Sequence, residues 1–129
     1  MSTNDQVTEL EGLRILELSA EGPPVGDSSA LISLAFEHQA DLVAIPVERL
    51  SESFFKLASG VAGDLVQKFV NYRIRLAILG DVSAPLANSN ALRSFVYEAN
   101  RGDQLWFVEN REALAARLAR RPPSPATPG

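Results

Sequence analysis

Two short, uninterrupted apolar runs constrain the fold of this chain more than any other feature of its sequence. One spans residues 42–45 and is ended by Pro46, and the other spans residues 76–79 and is ended by Gly80. Runs of this length that are apolar at successive positions are typical of parallel strands covered on both faces. We therefore expect the two runs to lie side by side in the middle of one sheet.

Three further strands and several helices complete the predicted pattern. Residues 7–10 and 13–18 flank Glu11-Gly12, and a two-residue connection that ends in glycine favours a β-hairpin. Residues 104–108 are the last predicted strand, and residues 51–57 are either a turn or a short helix. One-sided apolar patterns predict the remaining helices over residues 28–38, 60–72, 91–99 and 111–120.

The resulting order, β-β-α-β-α-β-α-β-α, predicts an α/β fold. We expect a mostly parallel five-stranded sheet with an N-terminal antiparallel hairpin and about four helices. A chain of 129 residues suits one domain, which we place over residues 6–120. Residues 1–5 are polar and residues 121–129 hold four of the eight prolines, so both ends are expected to be disordered.

The composition argues against several classes of function. Because the chain has no cysteine, it has no disulfide framework, thiolate metal site or cysteine nucleophile. A net charge of −4 argues against a nucleic-acid partner, which usually leaves a basic footprint. No apolar run approaches the roughly 18 residues of a membrane span, and the first residues lack an apolar signal core. We expect a cytoplasmic protein with no membrane partner, no cofactor and no metal.

Residues 59–63 surround the start of a predicted helix. Ser59 is either a plain N-cap or a regulatory phosphosite, since the helix dipole favours a phosphate at this end. The stretch Gly60-Val61-Ala62-Gly63 lacks the spacing and the Lys-Ser/Thr pair of a phosphate-binding loop. A tight turn or close helix packing is the alternative for Gly60, because small residues let backbones approach.

A polar cluster lies late in the same predicted helix. Gln67, Lys68 and Asn71 fall on neighbouring turns, where side chains three or four residues apart meet. They are either a solvated face or a binding face, since free basic and amide groups suit anionic or peptide contacts. Phe54 and Phe55 stand earlier, in a polar stretch. Either both pack under the loop, or one enters the core and the other forms an apolar contact patch.

Gly80-Asp81-Val82-Ser83 follows the second apolar run directly. In open α/β sheets, ligands bind in the crevice beyond the carboxyl ends of the strands. Asp81 and Ser83, joined by Arg101 and Asn88, are therefore candidates for a ligand or acid–base site at this edge. The alternative is that Asp81 and Ser83 stabilise a turn through bonds between side chain and backbone.

Six stretches also carry a resemblance to a known family. They are Ala20-Glu21-Gly22-Pro23-Pro24, Ala40-Asp41-Leu42-Val43, Gly60-Val61-Ala62-Gly63, Gln67-Lys68-Phe69-Val70-Asn71-Tyr72-Arg73, Gly80-Asp81-Val82-Ser83 and Asn100-Arg101-Gly102. Through them, nearly all of residues 7–118 resembles the bacterial domain-of-unknown-function family 4180. That resemblance identifies a family and implies no activity.

More distantly, the order of elements is similar to the STAS fold, which includes bacterial anti-sigma-factor antagonists. Those domains carry a phosphorylatable serine, followed by glycine, at the start of the helix after the central strand. Ser59-Gly60 stands in the comparable place here, with Leu57 and Ala58 where that family has an acidic residue. The resemblance implies a non-enzymatic regulatory or protein-interaction domain of STAS-like type.

Two function classes stay open on these observations. The first is the regulatory or interaction domain, whose binding face would comprise residues 51–63, the following helix and Asp81. The second is a small-molecule-binding protein or enzyme with its site at the carboxyl edge of the sheet. No catalytic residue is singled out, because His38 is the sole histidine and no G-x-S-x-G elbow is present.

Overall fold

The computed structural model describes residues 6–22, 25 and 28–119, and within them five strands form one sheet in the order β1-β2-β3-β4-β5. The hairpin strands β1 and β2 pair antiparallel, and β2 to β5 pair parallel. This confirms the predicted α/β fold, with the two apolar runs as adjacent central strands. The bounds are β1 Gln6–Leu10, β2 Leu13–Glu17, β3 Leu42–Pro46, β4 Arg75–Leu79 and β5 Leu105–Val108.

Six α-helices lie within the described ranges, against about four expected. The two extra ones, α2 and α4, are four and five residues long, too short to create an apolar period. Two 3-10 helices, Val47–Arg49 and Leu57–Ser59, flank α2. The α-helices are α1 Ser28–Glu37, α2 Glu52–Phe55, α3 Val61–Asn71, α4 Ser83–Ala87, α5 Asn90–Arg101 and α6 Arg111–Ala119.

The two faces of the sheet are covered by different numbers of helices. On one face, alternate residues of the strands pack against α1, α3 and α5, whose buried side chains include Ile32, Leu65 and Phe69. On the other face, Ala44 and Ala77 lie in the middle of a smaller cluster with Leu114 and Leu118 of α6. The small alanine side chains let a single helix approach the sheet closely. Both faces of β3 and β4 are therefore buried, as their unbroken apolar sequences require.

Local sequence features stabilise the β1–β2 hairpin and the loop between α5 and β5. Glu11 and Gly12 have φ values of 51° and 83°, the pair of positive angles that a tight two-residue hairpin turn needs. At the other end of the chain, the Trp106 indole Nε1 donates a 2.7 Å hydrogen bond to the carbonyl oxygen of Gly102. The Arg117 guanidinium stacks 4.6 Å from the Trp106 ring centre and also donates to Asn100. The stretch Asn100-Arg101-Gly102 therefore has a structural role beside β5.

Two predictions concern positions outside the described residues. They are the disordered ends, residues 1–5 and 121–129. Within residues 6–22, 25 and 28–119, none of the helices has the length and apolar character needed to cross a bilayer.

Candidate functional site

The carboxyl ends of β3 and β4 meet at one edge of the sheet and open into a groove. Pro46 and Leu79 are register partners at the ends of these strands. Beyond them the chain leaves in two directions, into residues 47–58 on one side and residues 81–91 on the other. Gly80, with φ of 138°, makes this divergence possible, because a Cβ atom there would lie 2.8 Å from Cγ2 of Val47.

These two segments are the walls of the carboxyl-edge groove, a cleft of about 910 Å³. Phe54 and Phe55 show how the first wall is built: Phe54 is only 1% exposed and belongs to the core, whereas Phe55 is half-buried and lines the groove. Because Phe55 also packs partly against the core cluster, the pair combines the two interpretations: Phe54 enters the core, and Phe55 both packs under the loop and gives the groove an apolar surface. The apolar side chains lining the groove are Val47, Phe55, Leu57, Ala58, Pro85 and Ala91.

Asp81 lies in this groove and is held by its own turn. The backbone N–H of Ser83 donates a 2.8 Å hydrogen bond to Oδ1 of Asp81. The Ser83 side chain and then this backbone bond hold the pKa of the Asp81 carboxyl below its ordinary value, because both stabilise the charged form. The predicted turn-stabilising role is therefore present, on an exposed carboxylate that is ionised at neutral pH.

The other amide and hydroxyl groups in the groove are also used locally. Asn88 donates a 3.3 Å hydrogen bond to the Ala84 carbonyl oxygen, and the Ser89 hydroxyl accepts a 3.0 Å bond from the N–H of Leu92 as the cap of α5. Glu52 and Lys56 are exposed, and no salt bridge to either is formed by the described residues. The groove thus combines apolar walls with charged groups, and its neutral polar groups are already bonded.

A second groove of about 520 Å³ continues along the same edge between β4 and β5. Asp81 lines both grooves, so it lies on the ridge where they join. Glu109 and Asn100 line the second groove. Oδ1 of Asn100 accepts a 2.7 Å hydrogen bond from the N–H of Phe107, so this amide also supports the fold.

Ser59 and Gly60 lie beside the first wall, around a smaller cavity of about 240 Å³. The N-cap residue of α3 is Gly60, in the left-handed conformation with φ of 82°, one residue later than predicted, but the Ser59 oxygen does accept the first N–H of the helix as a capping serine would. The Ser59 hydroxyl donates a 2.6 Å bond to the Ser53 carbonyl oxygen and accepts a 3.2 Å bond from the N–H of Val61. Gly60 thus makes the tight turn that its sequence favours, and Ser59 ties that turn back to α2. Phosphorylation of Ser59 stays a prediction.

The polar cluster of α3 lies apart from the groove. Nε2 of Gln67 donates a 3.0 Å bond to Oδ1 of Asn71, four residues later on the same exposed face. Nζ of Lys68 lies 3.1 Å from the Ser29 hydroxyl and links α3 to α1. These residues line none of the cavities described above, so their predicted binding role has no enclosed site here.

Arg101 lines neither groove, although the residue before it, Asn100, lines the second groove together with Asp81 and Ser83. Arg101 forms a 3.7 Å salt bridge with Glu98 and approaches the ring of Tyr97. Its predicted grouping with Asp81 and Ser83 stays a prediction. Asn88, by contrast, lies in the groove with Asp81, as expected.

Sequence reasoning missed α4 and the wall residues Pro85 and Ala91. Proline is tolerated in the first turn of a helix, where its missing N–H has no partner to lose, but it hides so short a helix from a periodicity search. The detectable signal was the Asp81-Val82-Ser83 turn, which starts α4.

The fold and the cleft define this chain as a mixed α/β domain with a groove at the carboxyl edge of its two central strands. The chain belongs to the family described as Domain of unknown function (DUF4180), whose model matches residues 10–118. No curated protein and no solved structure matches the chain significantly. The family resemblance is thereby confirmed, and the similarity to the STAS fold stays a prediction.

Proposed function

We propose that this chain is a non-enzymatic protein-interaction domain with a regulatory role, and that a segment of a partner protein binds in the carboxyl-edge groove. The observation that carries the proposal is the apolar wall formed by Phe55, Leu57 and Pro85 beside exposed charges. Apolar surface of this kind, rimmed by polar residues, marks interaction sites on soluble proteins. The groove also includes part of residues 51–63, the face that the sequence assigned to a partner.

The hydrogen bonds already made by the polar groups of the groove favour a protein segment over a polar metabolite as the ligand. Sites for small molecules place a few convergent polar groups around an apolar pocket. Here Asn88, Ser89 and Asp81 are each bonded to the turns that hold them. A partner's side chains would bury the apolar walls without having to break those bonds.

A small-molecule site is the second candidate, supported by the volume of the groove between β4 and β5. Its roughly 520 Å³ lies within the usual range for ligand pockets. A metabolite thermal-shift screen tests it with Asp81→Ala as the variant. A hit whose shift is lost in that variant would support this function over a protein partner, and a hit unaffected by it would place the ligand elsewhere.

Site-specific photo-crosslinking tests the proposed function directly. A benzophenone amino acid is placed at Ala58, an exposed residue of the groove, and separately at Tyr97, which is 63% exposed and lines neither groove. In a lysate of the source organism, we expect a discrete protein adduct from position 58 that is absent from position 97. Equal labelling from both positions, or none from position 58, contradicts the proposal.

A matched pair of substitutions links any adduct to the groove wall. Ala91→Gln places a neutral polar side chain in the groove on α5, and Ala116→Gln makes the same change at an exposed site on α6. Both sites are exposed helix positions that tolerate glutamine well, so folding should be unchanged. We expect Ala91→Gln to reduce crosslinking from position 58 and Ala116→Gln to leave it intact.

A further inference from the structure

We infer that the segment bound in the carboxyl-edge groove is a cationic amphipathic helix of the partner protein. This inference rests on the proposed function and adds the chemistry of the occupant. The groove supplies the site, and the charges and backbone arrangement around it specify what fits there.

The charged side chains that line the joined grooves are predominantly acidic. Three carboxylates line them, those of Glu52, Asp81 and Glu109, against one ammonium group, that of Lys56. Opposite potentials across an interface speed association and disfavour wrong partners. A bound segment with Lys or Arg beside its apolar side chains would therefore complement this surface, and an acidic segment would be repelled.

Three arginines that line neither groove bond to groups other than the groove carboxylates. The Arg111 guanidinium forms a 3.0 Å salt bridge with Glu17, and Nη1 of Arg49 donates a 2.9 Å hydrogen bond to the Ser19 carbonyl oxygen. Nη1 of Arg93 donates a 2.6 Å bond to the carbonyl oxygen of Leu86. Among the described residues, none forms a salt bridge with the three carboxylates of the grooves.

The ridge residue Asp81 carries its charge over a wide pH range. The hydrogen bonds from Ser83 lower the pKa of this carboxyl, so it stays ionised at more acidic pH than an ordinary aspartate. Its position between the two grooves places this charge midway along the surface. A lysine or arginine of the bound helix is expected to face it.

The backbone arrangement favours a helix over an extended strand. The groove lies beyond β3 and β4, which are central strands paired on both sides, whereas the free sheet edges are β1 and β5. A partner strand in the groove would find no sheet edge to pair with. Its peptide groups would then be buried against apolar walls without hydrogen bonds, whereas a helix satisfies these groups internally.

A peptide selection on the whole chain tests the inference. A phage-displayed library of random peptides of about 15 residues, roughly four helical turns, is panned on the wild-type protein and counter-selected on Ala91→Gln. We expect the recovered peptides to repeat apolar residues at helical spacing and to be enriched in Lys and Arg. Circular dichroism of the bound peptides should show induced helix.

Isosteric removal of charge then tests the electrostatic part. Asp81→Asn keeps an oxygen that can accept the Ser83 bond, and Glu109→Gln changes an exposed side chain. The double variant should weaken the selected peptides about threefold to tenfold, an effect expected of exposed charge pairs. Rising salt should weaken the wild-type complex similarly, since it screens exposed charges.

The possible outcomes separate the two proposals. Three results would overturn the cationic-helix inference and leave the proposed function standing, provided that peptide binding depends on Ala91. The peptides could lack enrichment in basic residues, they could bind without forming a helix, or they could bind the double charge variant as tightly as the wild type. If every recovered peptide binds wild type and Ala91→Gln equally, or none is recovered, both proposals fail. Anionic vesicles and single-stranded RNA serve as further probes, and groove-dependent binding of either would also overturn the inference.

Discussion

The two edges of the sheet are built in opposite ways. At the amino edge, Asp41 joins three strands through hydrogen bonds. Its N–H donates to the carbonyl oxygen of Arg14, and its side chain accepts a 2.9 Å bond from the Arg14 N–H. Its carbonyl oxygen accepts a bond from the N–H of Arg75. Gln104 closes the same edge with a 2.6 Å bond to the carbonyl oxygen of Ile74. At the carboxyl edge, the chain instead diverges after Pro46 and Leu79 and leaves the two grooves open.

This difference assigns separate tasks to the two edges. Hydrogen bonds between loops at the amino edge support the register of the strands, so changes there should alter stability and leave binding intact. The first groove wall is attached to the core through buried Phe54, and most of the side chains that line the groove are exposed to solvent. Changes at the exposed wall positions should therefore alter binding more than stability.

The adjacent residues Phe54 and Phe55 should give opposite results. Phe54→Ala removes a core side chain that is 1% exposed, so we expect the free energy of unfolding to fall by about 3–5 kcal/mol. Phe55→Ala removes a half-buried groove residue, for which about 1 kcal/mol is expected. Urea denaturation measures both values.

Binding of the selected peptides completes the test of this pair. Because Phe55 is the aromatic residue that lines the groove, its truncation to alanine should weaken peptide binding about tenfold or more. If Phe55→Ala retained full affinity while losing as much stability as Phe54→Ala, the division between core and groove wall would be wrong.

Gly80 and Gly63 form the second pair. In Gly80→Ala the new Cβ would lie 2.8 Å from the Val47 side chain, at a φ of 138° that disfavours alanine, so a loss of about 1–3 kcal/mol is expected. Gly63 lies inside α3 with open space around it, and Gly63→Ala should raise stability by about 0.5–1 kcal/mol. Thermal or urea unfolding of both proteins decides this, and a Gly80→Ala protein as stable as wild type would contradict the close contact with Val47.

The amino edge is tested through Asp41. Asp41→Ala removes the acceptor of the Arg14 N–H, and we expect a loss of about 0.5–1.5 kcal/mol with peptide affinity unchanged. Asp103→Ala is the matched control, because Asp103 is an exposed aspartate near the same edge. Equal effects of the two substitutions on unfolding would show that the Asp41 bond contributes nothing to stability.

The smallest effect concerns the titration of Asp81. Because hydrogen bonds from Ser83 lower this pKa, their contribution to stability is present above the ordinary aspartate pKa and is lost as the pH falls through the lowered value. Ser83→Ala removes the hydroxyl and keeps the backbone N–H, so the pKa of Asp81 should rise part of the way to its ordinary value.

NMR titration of the Asp81 carboxyl checks this shift, with Ser94→Ala, an exposed serine of α5, as the control that leaves it unmoved. Binding of cationic peptides should also fail at a higher pH in Ser83→Ala than in the wild type. If the pKa of Asp81 were unchanged in Ser83→Ala, the Ser83 side chain would not be the cause of the lowered pKa.

The layered α/β fold follows from local sequence patterns. Unbroken apolar runs at residues 42–45 and 76–79 are stable only with both faces covered, which places them in the centre of a parallel sheet. Glu11-Gly12 determined the hairpin, since the turn needs residues that tolerate positive φ. The turn at Asp81 was also predictable, because its acceptor and donor are two residues apart.

The groove, in contrast, arises only when remote segments pack together. Its walls come from residues 47–58 and residues 81–91, which are brought together by the pairing of β3 with β4, and the Gly80–Val47 contact shapes their junction. Such contacts leave no periodic signal in either segment. Likewise, only the packing of α5 shows that Arg101 lines neither groove, whereas Asn100 beside it lines the second. Local patterns specify which surfaces must be buried, whereas the distance between remote side chains depends on how the completed layers pack.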